Sequence, residues 1–134
     1  MTYTLLLLMT LFSCKSPAGD IYLVENGVAR SVIVVPEGAT RNEQRAAAIL
    51  QENVKSMTGA TLNIIPEGKH QLEPAIFIGN TGHADKYNTG RLKNEGFFIA
   101  SDNRNLYIKG GGGKGVIYGV CTLLENPSRL HMIL

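Results

Sequence analysis

The clearest chemical pattern in the sequence is the glycine-rich segment 110–115, Gly-Gly-Gly-Gly-Lys-Gly. It fits the spacing G-x-G-x-x-G, which in a dinucleotide site lets the backbone approach a pyrophosphate at a helix amino terminus. Such a site also needs a following parallel strand with an acid about 20 residues on, and no acid lies beyond Glu125. The segment therefore predicts a flexible turn into a helix, with a small nucleotide-binding protein as an open alternative.

Cys14 is the second feature of the sequence whose surroundings suggest a specific chemistry. It follows an uncharged, mostly apolar run over residues 1–13, which is shorter than the roughly 20 residues that cross a bilayer. The run ends in Leu11-Phe12-Ser13-Cys14, which resembles a bacterial lipobox, so we expect the Cys14 thiolate to accept a lipid. The protein would then be exported and held at the cell envelope or surface by this anchor alone. The alternative is a buried amino-terminal element with an incidental cysteine.

The remaining reactive side chains form no recognisable constellation. His70, His83 and His131 have no partners at the spacing of a metal site, so we expect surface histidines and no metal. Cys121 falls inside a predicted apolar helix and is expected to be buried and inert. No G-x-S-x-G motif presents a nucleophile. The sequence thus predicts no catalytic residue, no metal ligand and no cofactor.

The carboxylates and aromatic rings of the sequence leave glycoside hydrolysis and sugar binding as open alternatives. Two carboxylates held about 5 to 10 Å apart could hydrolyse a glycosidic bond, but the eleven Asp and Glu residues give no reason to choose a pair. Sugar binding often stacks pyranose rings on exposed aromatic side chains. Tyr107 and Tyr118 lie inside predicted elements and are expected in the core, whereas Tyr22 and Tyr87 are the freer candidates.

The first half of the chain predicts two strands and a helix. Residues 21–24 and 31–35 read as strands, and the Asn26-Gly27 turn between them predicts an opening hairpin. Thr40-Arg41-Asn42-Glu43 is a capping box that starts a helix, and Gly59 ends it. The spacing of the apolar residues predicts an inward stripe made of Ala47, Leu50, Val54 and Met57.

The second half predicts four more strands and a second helix. Strands are expected at 61–65 and 75–78, and a polar excursion at 83–94 separates them from an antiparallel hairpin of 96–101 with 106–109. A helix follows at 116–125, with Val116, Val120 and Leu123 or Leu124 inward. Hairpins mixed with crossovers favour a mixed sheet with helices packed on it.

Composition limits the partners and the size of the core. The chain has 134 residues, of which 44% are hydrophobic, enough for one modest domain. Lys plus Arg number 13 and Asp plus Glu number 11, and the resulting net charge of +2 is scattered along the sequence. Nucleic acid is therefore not expected as a partner, because no basic stripe could follow a phosphate backbone.

Several segments in order resemble one known kind of domain. They are similar to the non-catalytic amino-terminal domain that precedes the catalytic barrel in bacterial α-glucuronidases and β-N-acetylhexosaminidases. The resemblance covers residues 31–125 and rests on the order and spacing of three stretches: 40–62, ending in Met-Thr-Gly-Ala-Thr-Leu; 76–79, Ile-Phe-Ile-Gly; and 95–125, with Glu-Gly-Phe, Leu-Tyr-Ile-Lys-Gly and Gly-Val-Ile-Tyr-Gly-Val.

The resemblance implies an α+β fold, a mixed sheet with two helices on one face. The domain would pack beside a (β/α)₈ barrel that carries the catalytic acids and is missing from this chain. We expect a lipoprotein signal peptide at 1–13, an anchor linker and first strand at 14–30, the accessory domain at 31–126 and a truncated tail at 127–134. The implied function is that of a non-catalytic accessory domain of a surface-anchored, α-glucuronidase-like glycoside hydrolase in polysaccharide degradation. The alternative is a free-standing cell-surface lipoprotein that binds glycan or a protein partner.

Overall fold

The computed structural model describes residues 21–87, 90, 92–102, 104–126 and 130–133, so the predicted signal peptide and Cys14 lie outside the described residues. Within these ranges the chain forms eight strands and two α-helices. In chain order they are β1 (Ile21–Glu25), β2 (Val28–Ala29), β3 (Val32–Val35), α1 (Arg41–Thr58), β4 (Ile64–Pro66), β5 (Ala75–Ile78), β6 (Phe97–Ser101), β7 (Leu106–Gly110), α2 (Gly115–Glu125) and β8 (Leu130–Ile133). Short 3₁₀ turns lie at Glu67–Lys69 and Gly82–Ala84.

The main sheet has five strands in the order β4-β3-β5-β7-β6. The first four are mutually parallel, and β6 pairs antiparallel with β7 at the edge. The predicted hairpin of β6 with β7 is thereby confirmed. Because α1 and α2 each follow a parallel strand, both helices start at the carboxyl edge of the sheet and run back over it. Three loops, after β3, β5 and β7, therefore meet at that edge.

Both helices cover the same face of the sheet. The core on that face joins the inward sides of the two helices to alternate residues of β3, β5 and β7: Ile33, Val35, Ala46, Ala47, Leu50, Val54, Ile76, Ile78, Leu106, Ile108, Val116, Val120 and Leu123. The predicted α+β fold, a mixed sheet with two helices on one face, is confirmed. The opposite face carries a smaller apolar cluster around Phe77 and Tyr107.

Helix α1 begins where its local signals place it. The Thr40 hydroxyl accepts from the Glu43 amide at 3.2 Å, and the Glu43 carboxylate accepts from the Thr40 amide at 2.9 Å, so the predicted capping box is confirmed. Gly59 ends the helix at φ 78°, a left-handed conformation that suits glycine. The inward placement of Met57 was wrong: its side chain is 46% exposed, because the last turn of the helix has passed the buried stripe.

A second, smaller sheet has the order β2-β1-β8. The Asn26-Gly27 turn forms, with φ of 52° and 75°, but it joins β1 to β2 and not to β3. The predicted hairpin of 21–24 with 31–35 was therefore wrong in its second strand. Strand β3 is almost fully buried and pairs with parallel strands on both sides, as a continuous β-branched run favours. Residues 130–133, within the predicted tail, pair in parallel with β1.

No helix in the described part of the chain has the length and apolar character needed to cross a membrane.

Candidate functional site

The glycine-rich segment between β7 and α2 uses its backbone amides within the protein. Gly111 donates to the Gly96 carbonyl at 2.9 Å, and Gly113 and Gly115 donate to the Asn94 carbonyl at 2.9 and 3.3 Å. A pyrophosphate site requires such amides to point at the ligand. Three of the amides in this segment are therefore committed to carbonyls of the protein and do not point at a ligand.

Close backbone approach explains why the segment is glycine. A Cβ at Gly111 would lie 1.8 Å from the Lys93 carbonyl oxygen, and a Cβ at Gly115 would lie 1.9 Å from the Gly96 carbonyl oxygen. Neither neighbour can move cheaply, because both are backbone atoms. The motif thus packs the loop before α2 against residues 93–96: the predicted turn into a helix is present, but it is closely packed and not the flexible turn that the sequence predicted. The contact shows that the turn is held in place.

A cleft of about 350 Å³ opens beside this segment at the carboxyl edge of the sheet. Its walls come from the start of α1, the turn after β5 and the glycine-rich segment: Thr40, Arg41, Asn42, Glu43, Gly79, Asn80, Gly110, Gly111, Gly112, Gly113 and Val116. Glu43 joins two of these walls. Its Oε1 accepts from the Thr40 amide and its Oε2 from the Asn80 amide at 2.8 Å.

The third wall is tied to α1 by Asn42, whose side-chain nitrogen donates to the Gly113 carbonyl at 3.1 Å. Hydrogen bonds therefore tie together the loops that bound the cleft. Gly79, at φ 91°, leaves no room for a side chain, because a Cβ there would overlap the Glu43 carboxylate.

The face of the main sheet without helices carries a stack of rings. Phe77 lies between His83, at a ring-centroid distance of 4.6 Å, and Tyr107, at 5.1 Å. His70 meets both Phe77 and His83 edge-on, at 5.2 and 5.4 Å. The prediction that His70 is a surface histidine was wrong: its side chain is only 6% exposed, because β5 and the loops beside it close around the ring.

Glu67 holds the 3₁₀ turn Gly82–Ala84 against this ring stack. Its carboxylate accepts from the amides of Gly82 and His83 at 2.9 and 3.1 Å and from the His83 ring at 2.7 Å. Burial opposes ionisation of this carboxyl, but the hydrogen bonds from the His83 ring and the two amides outweigh it and lower the pKa of Glu67. The hydrogen bond between the Glu67 carboxylate and the His83 ring is a structural contact between two loops.

Lys86, Asp102 and Tyr107 form a second polar link on the same face. Asp102 Oδ2 accepts from the Lys86 ammonium at 2.7 Å and from the Tyr107 hydroxyl at 2.8 Å. Burial raises the pKa of Tyr107, and hydrogen bonds to Asp102 and Tyr107 raise the pKa of Lys86. The Lys86 and Asp102 side chains are 50% and 36% exposed, so water screens the pair and it contributes about 1 kcal/mol or less.

The outer side of α2 is apolar although it faces away from the sheet. The helix has no charged residue before Glu125, and Tyr118 on its outer side is 41% exposed. The expectation that Tyr118 is a core residue was wrong, whereas Tyr107 is buried as predicted. The neighbouring helix α1 places charged residues, including Arg45 and Glu52, on its outer side. Ordinary surface helices have polar outer faces, so α2 presents a candidate docking surface.

Other residues singled out from sequence are dispersed. Cys121 is half-buried on α2 and not fully buried as expected, because it lies beside Tyr118 on the outer part of the helix. Tyr22 is 42% exposed, and the half-buried Tyr87 contacts Phe98 at 5.4 Å. Within the ranges that the structure describes, no group of three or more His, Cys, Asp or Glu residues could hold a metal ion. The side chain of His131 is outside the described residues.

Sequence reasoning missed the cleft and the ring stack. His70, Phe77, His83 and Tyr107 are brought together by the pairing of β5 with β7 and by loops that fold back onto the sheet. No local spacing in the sequence marks that meeting. One residue of the cleft was marked by a local signal in the sequence. Glu43 belongs to the capping box, and its second carboxylate oxygen accepts from the Asn80 amide.

Comparison with known proteins adds the family. Residues 17–126 match the family described as Glycosyl hydrolase family 20, domain 2. Among solved structures, a GH138 enzyme targeting pectin rhamnogalacturonan II is similar at 22% sequence identity and a TM-score of 0.48. That similarity covers 74% of this chain and 14% of the enzyme, so the chain spans a small part of that enzyme's length. No curated protein matches.

The family match takes in every element from β1 to α2. This chain belongs to the domain 2 family of glycosyl hydrolase family 20 and is a glycoside hydrolase accessory domain.

Proposed function

We propose that this chain serves, without catalysis of its own, as the accessory domain of an exported, surface-anchored glycoside hydrolase. Its parent enzyme would be α-glucuronidase-like and act in polysaccharide degradation, and a (β/α)₈ barrel would carry the catalytic acids. Membership of the domain 2 family is the observation that supports this proposal. The α-glucuronidase specificity rests on the sequence resemblance over residues 31–125.

The outer side of α2 is the surface that we assign to the barrel. Tyr118 projects from it, flanked by the half-buried Cys121 and Thr122, and charged residues of α1 lie alongside. An apolar centre beside a charged margin is the arrangement found in protein interfaces. Burying Tyr118 there would remove from water the largest exposed side chain of the helix.

The carboxylates that hold the fold together support a non-catalytic role. Glu43 joins two walls of the cleft, Glu67 fixes a 3₁₀ turn and Asp102 pairs with Lys86. A glycosidase needs one carboxyl group that stays protonated to act as an acid, whereas the pKa values of Glu67 and Asp102 are both lowered by their partners.

The docking proposal is tested by co-purification. The genomic neighbourhood is searched for a barrel in the same or an adjacent reading frame, and the barrel is co-expressed with this chain. We expect a complex that Tyr118→Lys weakens, while Leu72→Lys leaves it intact, because Leu72 is 87% exposed in the loop before β5, away from α2. Absence of such a barrel, or a complex indifferent to Tyr118→Lys, would contradict the proposal.

Anchoring is tested separately at Cys14. Cys14→Ser should abolish lipid labelling and release the protein from the membrane fraction, because a hydroxyl is a poor substitute for the thiolate nucleophile. Cys121→Ser is the matched control and should be labelled normally. Membrane retention of Cys14→Ser would contradict the anchor and leave the docking proposal untouched.

A further inference from the structure

The cleft at the carboxyl edge of the main sheet has the position and size of a small-molecule site. It lies where the loops after β3, β5 and β7 meet, and in sheets of parallel strands ligands bind in the crevice outside the carboxyl ends. Its volume of about 350 Å³ falls within the range of ligand pockets, which begins near 300 Å³. Neither the packing role of the glycine-rich segment nor docking through α2 uses this space.

The charge that the cleft offers is that of Arg41. Among the described residues, its guanidinium has no hydrogen bond and no ion pair. The other charged side chain of the walls, Glu43, is 8% exposed and has both oxygens engaged by the amides of Thr40 and Asn80. A free guanidinium binds a carboxylate through two parallel hydrogen bonds.

Neutral groups complete the walls. The side chain of Asn80 is exposed, and Asn42 donates to Gly113 through its nitrogen, which leaves its amide oxygen as an acceptor. These groups match hydroxyls, whose oxygens both donate and accept. Phosphate fits less well, because three of the loop amides that could bind its oxygens, those of Gly111, Gly113 and Gly115, already donate to the carbonyls of residues 94 and 96.

We propose that this cleft binds a carboxylated sugar, a hexuronate residue of a polysaccharide, with its carboxylate on Arg41 and its hydroxyls toward Asn42 and Asn80. A bare carboxylate would leave most of the volume empty, whereas a pyranose ring would occupy it. Polysaccharides are the polymers that glycoside hydrolases handle, and this chain belongs to such a family. The inference concerns the chain itself and depends neither on a barrel nor on an anchor.

The test is a titration of the full chain with D-glucuronate, followed by two-dimensional NMR of the backbone amides. We expect saturable shifts at Asn80, Gly112 and Val116 with a dissociation constant in the millimolar range, as one sugar residue allows. Arg41→Gln should weaken binding at least tenfold, the value of a charged hydrogen bond. Arg45→Gln, one turn further along the exposed side of α1, should leave binding unchanged.

D-glucose and acetate serve as probes that separate the contributions of the sugar ring and of the carboxylate to binding. Asn80→Ala is a second variant of the cleft. D-glucose and acetate should each bind at least tenfold more weakly than D-glucuronate, and Asn80→Ala should reduce the preference for glucuronate over acetate. If acetate binds as tightly as D-glucuronate, the proposed recognition of a sugar ring is wrong. If D-glucose binds as tightly as D-glucuronate, the proposed role of the carboxylate is wrong. The proposal also fails if glucuronate shifts none of these amides or if Arg41→Gln, with a dispersed native spectrum, binds as the unaltered chain does.

Discussion

Glu67 illustrates how one carboxylate can fix a distant turn. Its three hydrogen bonds run from the 3₁₀ turn after β4 to the backbone and ring of residues 82 and 83. The turn Gly82–Ala84 in turn covers Phe77 on the face of the sheet that has no helix. The contact should therefore matter for the stability of that face.

Glu67→Gln should lower the free energy of unfolding by about 1 kcal/mol at neutral pH, because a charged acceptor is replaced by a neutral one. The pKa of Glu67 is lowered by folding from its ordinary 4.5, so its stabilisation is present above that value and is lost as the pH falls through the folded-state pKa. Urea unfolding over a pH series measures the difference. Glu52→Gln, exposed on α1, should not show it; a deficit that persists in acid would contradict the role of the charge.

The glycine-rich segment permits a paired test within one loop. Gly111→Ala places a methyl group against the Lys93 carbonyl and should cost about 1 to 3 kcal/mol of stability through overpacking. Gly112→Ala meets only the side chain of Asn94, at 3.2 Å, and should change stability by about 0.5 kcal/mol or less. Thermal unfolding compares the two variants. Equal melting temperatures would show that close packing is not what requires glycine at 111.

At the scale of elements, the sequence correctly predicted the features that form between residues close together in the chain. The capping box, the stop at Gly59 and the hairpin of β6 with β7 involve residues near one another in sequence, and all three form. The partner of β1 could not be predicted from local signals. Both β2 and β3 follow the Asn26-Gly27 turn, and β3 is taken up by β4 and β5 of the main sheet, which leaves β2 to pair with β1. The carboxyl-edge cleft depends on three loops at once and has no signature in any one of them.

Leu50 lies at the centre of the buried stripe of α1 and is fully buried. Leu50→Ala should cost roughly 2 to 5 kcal/mol, the transfer free energy of the lost methyl groups plus the cavity left between helix and sheet. Glu52→Ala is the control, since that side chain is exposed on the same helix and should change stability little. Chemical denaturation of both variants gives the comparison, and similar midpoints would mean that the helix packs differently.

At the scale of the whole molecule, the domain has two unlike faces. Helices cover one side of the main sheet, while loops, a ring stack and two polar links cover the other. Glu67 and Asp102, the two carboxylates of these polar links, are engaged by His83 and by Lys86.

Because the proposed function places the catalytic acids in a separate barrel, the purified chain should show no turnover of aryl glucuronides or aryl N-acetylhexosaminides. An assay that follows release of the coloured phenol over hours, beside an intact glycoside hydrolase as positive control, measures this. Turnover that is abolished by a single Glu→Gln or Asp→Asn substitution in this chain would contradict the non-catalytic role.

The parallel pairing of β1 with β8 has a consequence for the order of folding. Ile21 lies opposite Leu130, so nearly the whole described chain must be looped before these strands meet. Closing a long loop costs more entropy than closing a short one, and contacts between distant residues slow folding when they are needed early. The β6–β7 hairpin and the two helices close locally, so they can assemble first. The small sheet would then close last, and its amides should exchange with deuterium earlier than those of β5 and β7.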